Sequence, residues 1–417
     1  MEWVGLLDCN NFFVSCERLF RPDLQKRPTV VLSSNDGCVV ARSPEIKALG
    51  IPMGVPYFKV KNELAAHHTE VFSSNFPLYR DISRRVMDSL GGCVGTYEQY
   101  SVDEAFFKLT GTDEEVLQRS HTIKKKIEQE VGVPISIGVA HTKTLAKFAN
   151  GLAKKESGVY VLGNEKWVQQ QPSVPLSQIW GVGRQTAQKM QDHGLCTVTD
   201  LLTADRSRID ALFGIAGVRL QAELAGTHND RLSRSGSQIQ QSIMSSRSFK
   251  DATNDITILE NAIAYHVGEV AAELRSLQAV CGSLNVHILP SRHGEWLLRG
   301  GSQESLLVRP SSDTRVLLTE ALALVRELWE KDVPYKKAGV VVSLISDAST
   351  KQLELFADTK RDDTAAVFKV MDIVNGRFGK SALTIGRVPS HSNWQASRQF
   401  CSPRYTTNWT ELATVKA

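Results

Sequence analysis

The stretch YEQYSVDEAFFKL, residues 97–109, narrows the possible folds more than any other part of the chain. Tyr97, Tyr100, Val102, Phe106, Phe107 and Leu109 are strand formers that favour burial, yet Asp103 and Glu104 stand side by side among them. A buried carboxylate without a partner costs several kcal/mol. The pair therefore needs a solvent-facing turn or a compensating cation, and the stretch reads as strand–turn–strand.

The flanking segments supply the rest of a sheet. WVGLLD (3–8) is an apolar run ending in Asp8 and reads as a buried strand. NNFFVSCERLF (10–20) has helical spacing, with Asn10 or Asn11 as its cap. RPTVVLSS (27–34) reads as a strand, and a short helix is expected between Pro44 and Gly50. Helices are predicted over 75–90, 112–131 (capped by Thr112 or Asp113) and 142–155, with a strand over 134–140. With the inserted β-α block set aside, the order is βαββαβ, a split βαβ sheet of the ferredoxin-like kind. The first strand of that topology lies beside the hairpin, which can bring Asp8 close to Asp103 and Glu104. Three carboxylates at one sheet edge repel unless a cation sits among them. Hard divalent ions such as Mg2+ take oxygen ligands, and two ions about 3.5–4 Å apart form the arrangement used for phosphoryl transfer. Ordinary turn acids on a solvated loop are the alternative.

Further along, WGVG and HGLCT form two small-residue turns between helical stretches at 183–193 and 197–203. Such turns expose backbone N–H groups that bind phosphate without reading sequence. The pattern resembles a helix–hairpin–helix DNA-binding module, with Gly181 and Gly183 in the phosphate-facing turn and Arg184 beside them; a simple αα-hairpin is the alternative. Residues 231–241 are polar, rich in Gly and Ser, and read as a linker. A second βαββαβ pattern follows over 242–346, without acidic partners of its own but with Arg247, Arg292, Arg299 and Arg309 on or beside strands. KQLELFAD (351–358) carries Gln352, Leu353, Leu355 and Phe356 as an apolar knot among charges, and helical potential returns at 363–376.

Composition removes several classes. The 417 residues exceed one ordinary core and suggest two to four domains. No apolar run approaches the roughly 20 residues of a membrane-spanning helix, and MEWVGLLDCNNFF is not expected to be a signal peptide because it has an acid and no basic lead-in. The seven cysteines form no CxxC pair, so neither zinc nor a disulfide framework is in view and a reducing cytoplasm is expected. The net charge of +4 is mild, but seven basic residues face two acidic ones between His141 and Gln191, an excess suited to phosphate.

LLDCNNFFVSCE, GCVVARSPEIKALGI, YSVDEAFFKLTG, SIGVAHTKTLAKFANGLAKK and WGVGRQTAQKM stand in the order and spacing of the Y-family translesion DNA polymerases. The resemblance covers essentially the whole chain. FRPDL, LSSNDGCVVAR and SPRYTT make it nearest to the UmuC-type catalytic subunits of bacterial DNA polymerase V. It implies a multidomain α+β right-hand fold: palm at 1–22 and 74–165, fingers at 23–73, thumb at 166–230, little finger at 242–346 and a C-terminal extension at 347–417. It implies two Mg2+ ions on Asp8, Asp103 and Glu104, with the Cys9 backbone carbonyl as a further ligand. The incoming dNTP would meet Lys47 and Lys154, with Arg42 a weaker contact, and Phe13 or its neighbour Phe12 would be the aromatic gate under the sugar. The chain departs from many family members in having Pro44 and Lys47 where they carry Tyr and Arg; lysine lacks the bidentate grip of a guanidinium, so triphosphate affinity is expected to be modest. Gly181, Gly183, Arg184 and Arg247 would contact primer-template DNA. QLELF resembles a sliding-clamp motif, and UmuD′ and RecA are implied partners. The resemblance points to error-prone translesion synthesis in the SOS response to DNA damage. A catalytically dead DNA-binding scaffold and a nucleotide cyclase are the competing readings. The first conflicts with the complete carboxylate set, and the second has no use for a hairpin module.

Overall fold

The computed structural model describes residues 1–227, 240–291, 300–349, 364–379, 382–385 and 398–412. These divide into two compact units: Met1–Ser237 with Gln399–Ala417, and Gln238–Arg398.

The first unit opens with strand β1 (Glu2–Cys9) and helix α1 (Phe12–Phe20). An inserted block follows: β2 (Thr29–Leu32), β3 (Val39–Arg42), α2 (Pro44–Ala48), α3 (Tyr57–Ala66) and β4 (Glu70–Ser73). Then come α4 (Phe76–Val94), β5 (Tyr97–Gln99), β6 (Glu104–Thr110), α5 (Asp113–Val131), β7 (Ile135–Ala140), α6 (Lys143–Ala153) and β8 (Val159–Val161). The sheet order β5-β6-β1-β7-β8 puts β1 antiparallel to both β6 and β7. This is the βαββαβ arrangement read from the sequence, extended by β8, which was too short to register as a strand. The insert is richer than one β-α block. It forms its own three-stranded sheet, β3-β2-β4, over a core of Val30, Leu32, Val39, Ile46, Ile51, Val60 and Leu64.

Alternation along β1 sends its side chains to two cores. Trp3 and Leu7 join Phe107 beneath α4 and α5, in a cluster with Tyr79, Ile82, Val86, Ile123 and Ile127. Val4 and Leu6 join Phe106 beneath α6, with Leu145, Ala146 and Ala149. Asp8 and Glu104 continue the second set, so they face α6. Gly138 on β7 lets α6 approach: a Cβ there would lie 2.0 Å from the Asn150 backbone nitrogen.

The expected cap of α1 is absent. Asn11 occupies the cap position in the left-handed region (φ 49°), and its side chain makes no capping hydrogen bond; Asn tolerates that conformation better than most residues. At α5 Thr112 forms a complete capping box with Glu115.

The chain continues through α7 (Asn164–Gln170), α8 (Arg184–Asp192), α9 (Val198–Thr203) and α10 (Arg206–Leu224), the last kinked at Gly214. In the second unit β9 (Ser242–Thr253), α11 (Ile256–Ser276), β10 (Ala279–Pro290), β11 (Gly301–Ser311), α12 (Thr314–Leu328) and β12 (Tyr335–Asp347) repeat the βαββαβ pattern, in sheet order β11-β10-β12-β9. Helix α13 (Thr364–Phe378) packs in the same unit through a paired contact, Arg275 Nε and Nη2 donating to Asp372 at 2.7 and 2.8 Å. No helix among the described residues is long and apolar enough to cross a membrane.

Candidate active site

Asp8 and Glu104 are direct cross-strand partners at the end of β1 and the start of β6. Cross-strand partners present their side chains on one face, so two carboxylates meet at the sheet edge. Both are largely withdrawn from solvent, with side chains 13% and 14% exposed. Burial pushes the Asp8 carboxyl up to about 7 against the opposing pull of Lys154, and the neighbouring Glu104 raises it further.

The cations come from α6. Lys143, Lys147, Asn150 and Lys154 fall at i, i+4, i+7 and i+11 and therefore share one helix face. Lys143 pairs with Glu98 at 2.9 Å, Lys147 with Glu104 at 2.9 Å and Lys154 with Asp8 at 2.7 Å. Asn150 ties the same face to the sheet, donating from Nδ2 to the carbonyls of Leu6 (3.2 Å) and Ser136 (2.9 Å). Sequence reading registered Lys143 and Lys147 only as part of a local charge excess. The i, i+4, i+7, i+11 register was the signal that would have assigned them.

Asp103 behaves differently. Its carbonyl accepts from the Cys9 N–H at 2.9 Å, and its carboxylate accepts from the Ser101 hydroxyl at 2.7 Å. It lies in the bend of residues 101–103, just before β6 begins at Glu104. Among the described residues, no three His, Cys, Asp or Glu side chains are grouped to hold a metal ion. Convergence of all three carboxylates was the expectation; Asp8 and Glu104 meet as cross-strand partners, and Asp103 stands in the bend immediately before Glu104. Their oxygens are nonetheless the hard donors a divalent cation takes, and two adjoining buried carboxylates are a poor arrangement without positive charge.

Above this edge sits the inserted block. Lys47 on α2 donates to Asn11 Oδ1, and Arg42 donates to the Ile51 carbonyl. Burial, then Lys154 and Arg42, hold the Lys47 ammonium below its ordinary pKa. Lys154 and Lys47 thus lie beside Asp8, with Arg42 close to Lys47, a local field suited to an anion. Phe12 is buried in the core, whereas Phe13 is partly exposed and stacks on Tyr79 with ring centroids 4.5 Å apart. The adjoining hairpin carries Tyr100, which meets Trp180 edge-on at 5.3 Å, with Lys147 over both rings.

Gly181 has φ +88°, Gly183 is the cap of α8, and Arg184 is its first residue. The two turns and helices of the expected hairpin module are present, and α10 follows them. Arg247 lies on β9 over the Tyr265 ring at 5.8 Å. Gln352, Leu353, Leu355 and Phe356, with Arg292 and Arg299, lie outside the described residues.

The impB/mucB/samB family matches residues 7–151, its C-terminal domain matches 240–355, and a domain of unknown function (DUF4113) matches 365–415. Protein UmuC of Salmonella typhimurium is 34% identical over 421 residues, covering 99% of this chain and 100% of that protein. The chain belongs to the impB/mucB/samB family of Y-family DNA polymerases. Within that family, MucB of Escherichia coli is 33% identical, covering 99% of this chain and 100% of its own. DNA polymerase IV 1 of Bacillus subtilis is 26% identical over 91% of each. Among solved structures, the Y-family DNA polymerase chimera Dbh-Dpo4(243-245)-Dbh shares the fold with a TM-score of 0.71 at 20% identity, covering 83% of this chain and 99% of that one. The right-hand architecture inferred from the motifs is therefore the fold of this family member.

Proposed function

We propose that Asp8, Asp103 and Glu104 are the metal-binding carboxylates with which this error-prone translesion DNA polymerase joins a dNTP to a primer 3′-OH, with the Cys9 carbonyl as a further ligand. The observation that carries this reading is the pairing of Asp8 with Glu104 on the face that α6 lines with lysines. Family members use divalent ions; the all-oxygen donor set favours two Mg2+. Bound there, such ions would lower the pKa of the primer hydroxyl and neutralise charge on the leaving pyrophosphate.

The chain's own residues do the rest. Lys47, Lys154 and Arg42 supply positive charge for the triphosphate, as point charges in the case of the lysines. Phe13 lies under the sugar and excludes a 2′-OH, while Phe12 anchors the segment in the core. Backbone N–H groups at Gly181 and Gly183, with Arg184, grip the DNA backbone, and Arg247 contacts it from the sheet of the second unit. Little covalent work is asked of the protein, so positioning and charge supply most of the rate.

Residues 1–22 and 74–165 are assigned to the palm, 23–73 to the fingers, 166–230 to the thumb and 242–346 to the little finger. The end of β4 at Ser73 supports the second fingers boundary. Gln352, Leu353, Leu355 and Phe356 are proposed to bind the sliding clamp, and likeness to UmuC supports UmuD′ and RecA as partners in a cytoplasmic SOS response.

Replacing Asp103 by Ala tests the site. Primer extension should fall at least about 1,000-fold, a loss of the size seen when one preorganised charge contact is removed from a transition state, while duplex affinity by fluorescence anisotropy stays within about twofold of wild type. Retained extension would remove Asp103 from the ligand set.

A further inference from the structure

The segment that follows Arg398 belongs to the first unit, although α13, matched by the same domain of unknown function, belongs to the second. It crosses the inserted sheet and the main sheet core. Phe400 pairs with the end of β4, its carbonyl accepting from Ser73 N–H at 2.9 Å and its N–H donating to Ser73 Oγ at 3.0 Å. Its ring meets Tyr57 edge-on at 6.1 Å. Tyr405 stacks on Phe20 of α1 at 4.5 Å with the planes 5° apart.

Between these two anchors, Ser402 is 8% exposed and engages two buried polar groups. Asn75, the cap of α4, donates from Nδ2 to Ser402 Oγ at 2.9 Å and to the Pro403 carbonyl at 3.2 Å. Ser402 Oγ donates to Glu17 Oε1 at 3.0 Å, and the Tyr79 hydroxyl donates to the same oxygen at 2.7 Å. Glu17 is fully buried, and its other oxygen has no hydrogen-bond partner among the described residues.

Tyr79 and Phe76 are the α4 rings against Phe13. Tyr79 stacks on it at 4.5 Å, and Phe76 meets it edge-on at 6.0 Å. One hydroxyl, that of Ser402, thus reaches both supports of the Phe13 ring: Tyr79 through Glu17, and the first turn of α4 through Asn75.

We infer that the C-terminal segment around Ser402 is a positioning element for sugar selection, which acts through Asn75, Glu17 and Tyr79 to hold the Phe13 ring. The inference rests on the reading of Phe13 as the sugar gate. A purely apolar strap would stabilise the same surfaces without burying a carboxylate. A buried polar network adds directional constraint, which a steric gate requires because small ring displacements decide whether a 2′-OH fits.

The test compares single-nucleotide incorporation of a dNTP and its rNTP by the full-length protein, as the ratio of kcat/KM values, with the melting temperature of each variant recorded. Phe13→Ala should raise relative rNTP use. Tyr79→Phe keeps the stacked ring and removes the link to Glu17; Ser402→Ala removes the link at the tail. Each should raise relative rNTP use about 3- to 10-fold, the range of one lost hydrogen bond. Ser402→Thr should restore the wild-type ratio. Combining Ser402→Ala with Phe13→Ala should add nothing to Phe13→Ala alone. If Tyr79→Phe and Ser402→Ala lower dNTP and rNTP use in equal proportion while Phe13→Ala shifts the ratio, the segment is a strap only and the inference fails. If Phe13→Ala leaves the ratio unchanged, the gate reading fails and takes the inference with it. Should Ser402→Ala not fold, Tyr79→Phe decides alone.

Discussion

Asp8, Glu104 and Glu17 show two ways for one chain to bury a carboxylate. The first two face lysines from α6, whereas Glu17 takes only hydroxyl donors, from Tyr79 and Ser402. Asp8 and Glu104 were legible in the sequence because acids interrupting strand-forming runs demand an explanation. Glu17 was not, because an acid inside an amphipathic helix ordinarily reads as its solvated face; only the fold reveals the tail that covers it. Burial pushes the Glu17 carboxyl from 4.5 up to about 7, with the two hydroxyls opposing. A folded pKa above the unfolded one means that the native state keeps a proton the unfolded chain releases between these values. The stability associated with Glu17 is therefore fully present below about pH 4.5 and is lost as pH rises through about 7, by about 3 kcal/mol. Glu17→Gln removes that loss. Its melting temperature relative to wild type should climb between pH 5 and pH 8 in parallel thermal scans; a constant difference across the window would show that Glu17 is ionised throughout. Comparing variant with wild type cancels the titration of Asp8, which spans the same range.

Helix α6 shows what an element contributes beyond its residues. Its lysines reach the carboxylates because Ala146, Ala149 and Leu145, on a neighbouring face of the helix, press it onto the sheet, and because β7 presents no side chain at Gly138. The helix itself was evident from periodicity, and its approach distance was not, since that depends on the glycine of another element. A methyl at Gly138 would meet the Asn150 nitrogen, the Ala146 carbonyl and the Asn150 Cα at 2.0 to 2.5 Å, all backbone atoms of α6. Backbone cannot yield as a flexible side chain does. Gly138→Ala should therefore cost at least about 3 kcal/mol and displace α6 outward, with soluble yield and melting temperature as the readouts. Wild-type values for both would mean that α6 packs less closely than described. The elements missed in the sequence share a physical cause. β8 has three residues and β4 four, too few to establish a period. In α3 only Val60 and Leu64 are buried, one turn apart, so its apolar stripe is too thin to stand out.

At the scale of the molecule, two βαββαβ units were readable because each repeats long, strongly patterned strands and helices; among the described residues, only the first carries such a carboxylate pair. The return of residues 399–405 to the first unit was not readable, since SPRYTT has no period and its partners lie more than 300 residues away. Between β12, which ends at Asp347, and α13, which begins at Thr364, lies QLELF. Gln352 offers a hydrogen-bonding amide, and Leu355 with Phe356 offers two large apolar side chains, the combination that peptide segments use to occupy a pocket with a polar rim. QLELF is separate in sequence from β1, β6 and α6, so recruitment and chemistry should separate. Gln352→Ala combined with Leu355→Ala should weaken clamp binding by at least about 30-fold, the effect of losing one anchor worth about 2 kcal/mol. Synthesis without the clamp should remain at the wild-type rate, while the stimulation by loaded clamp on primed circular DNA disappears. An equal fall in both would mean that these residues support the fold, and the clamp assignment would be withdrawn.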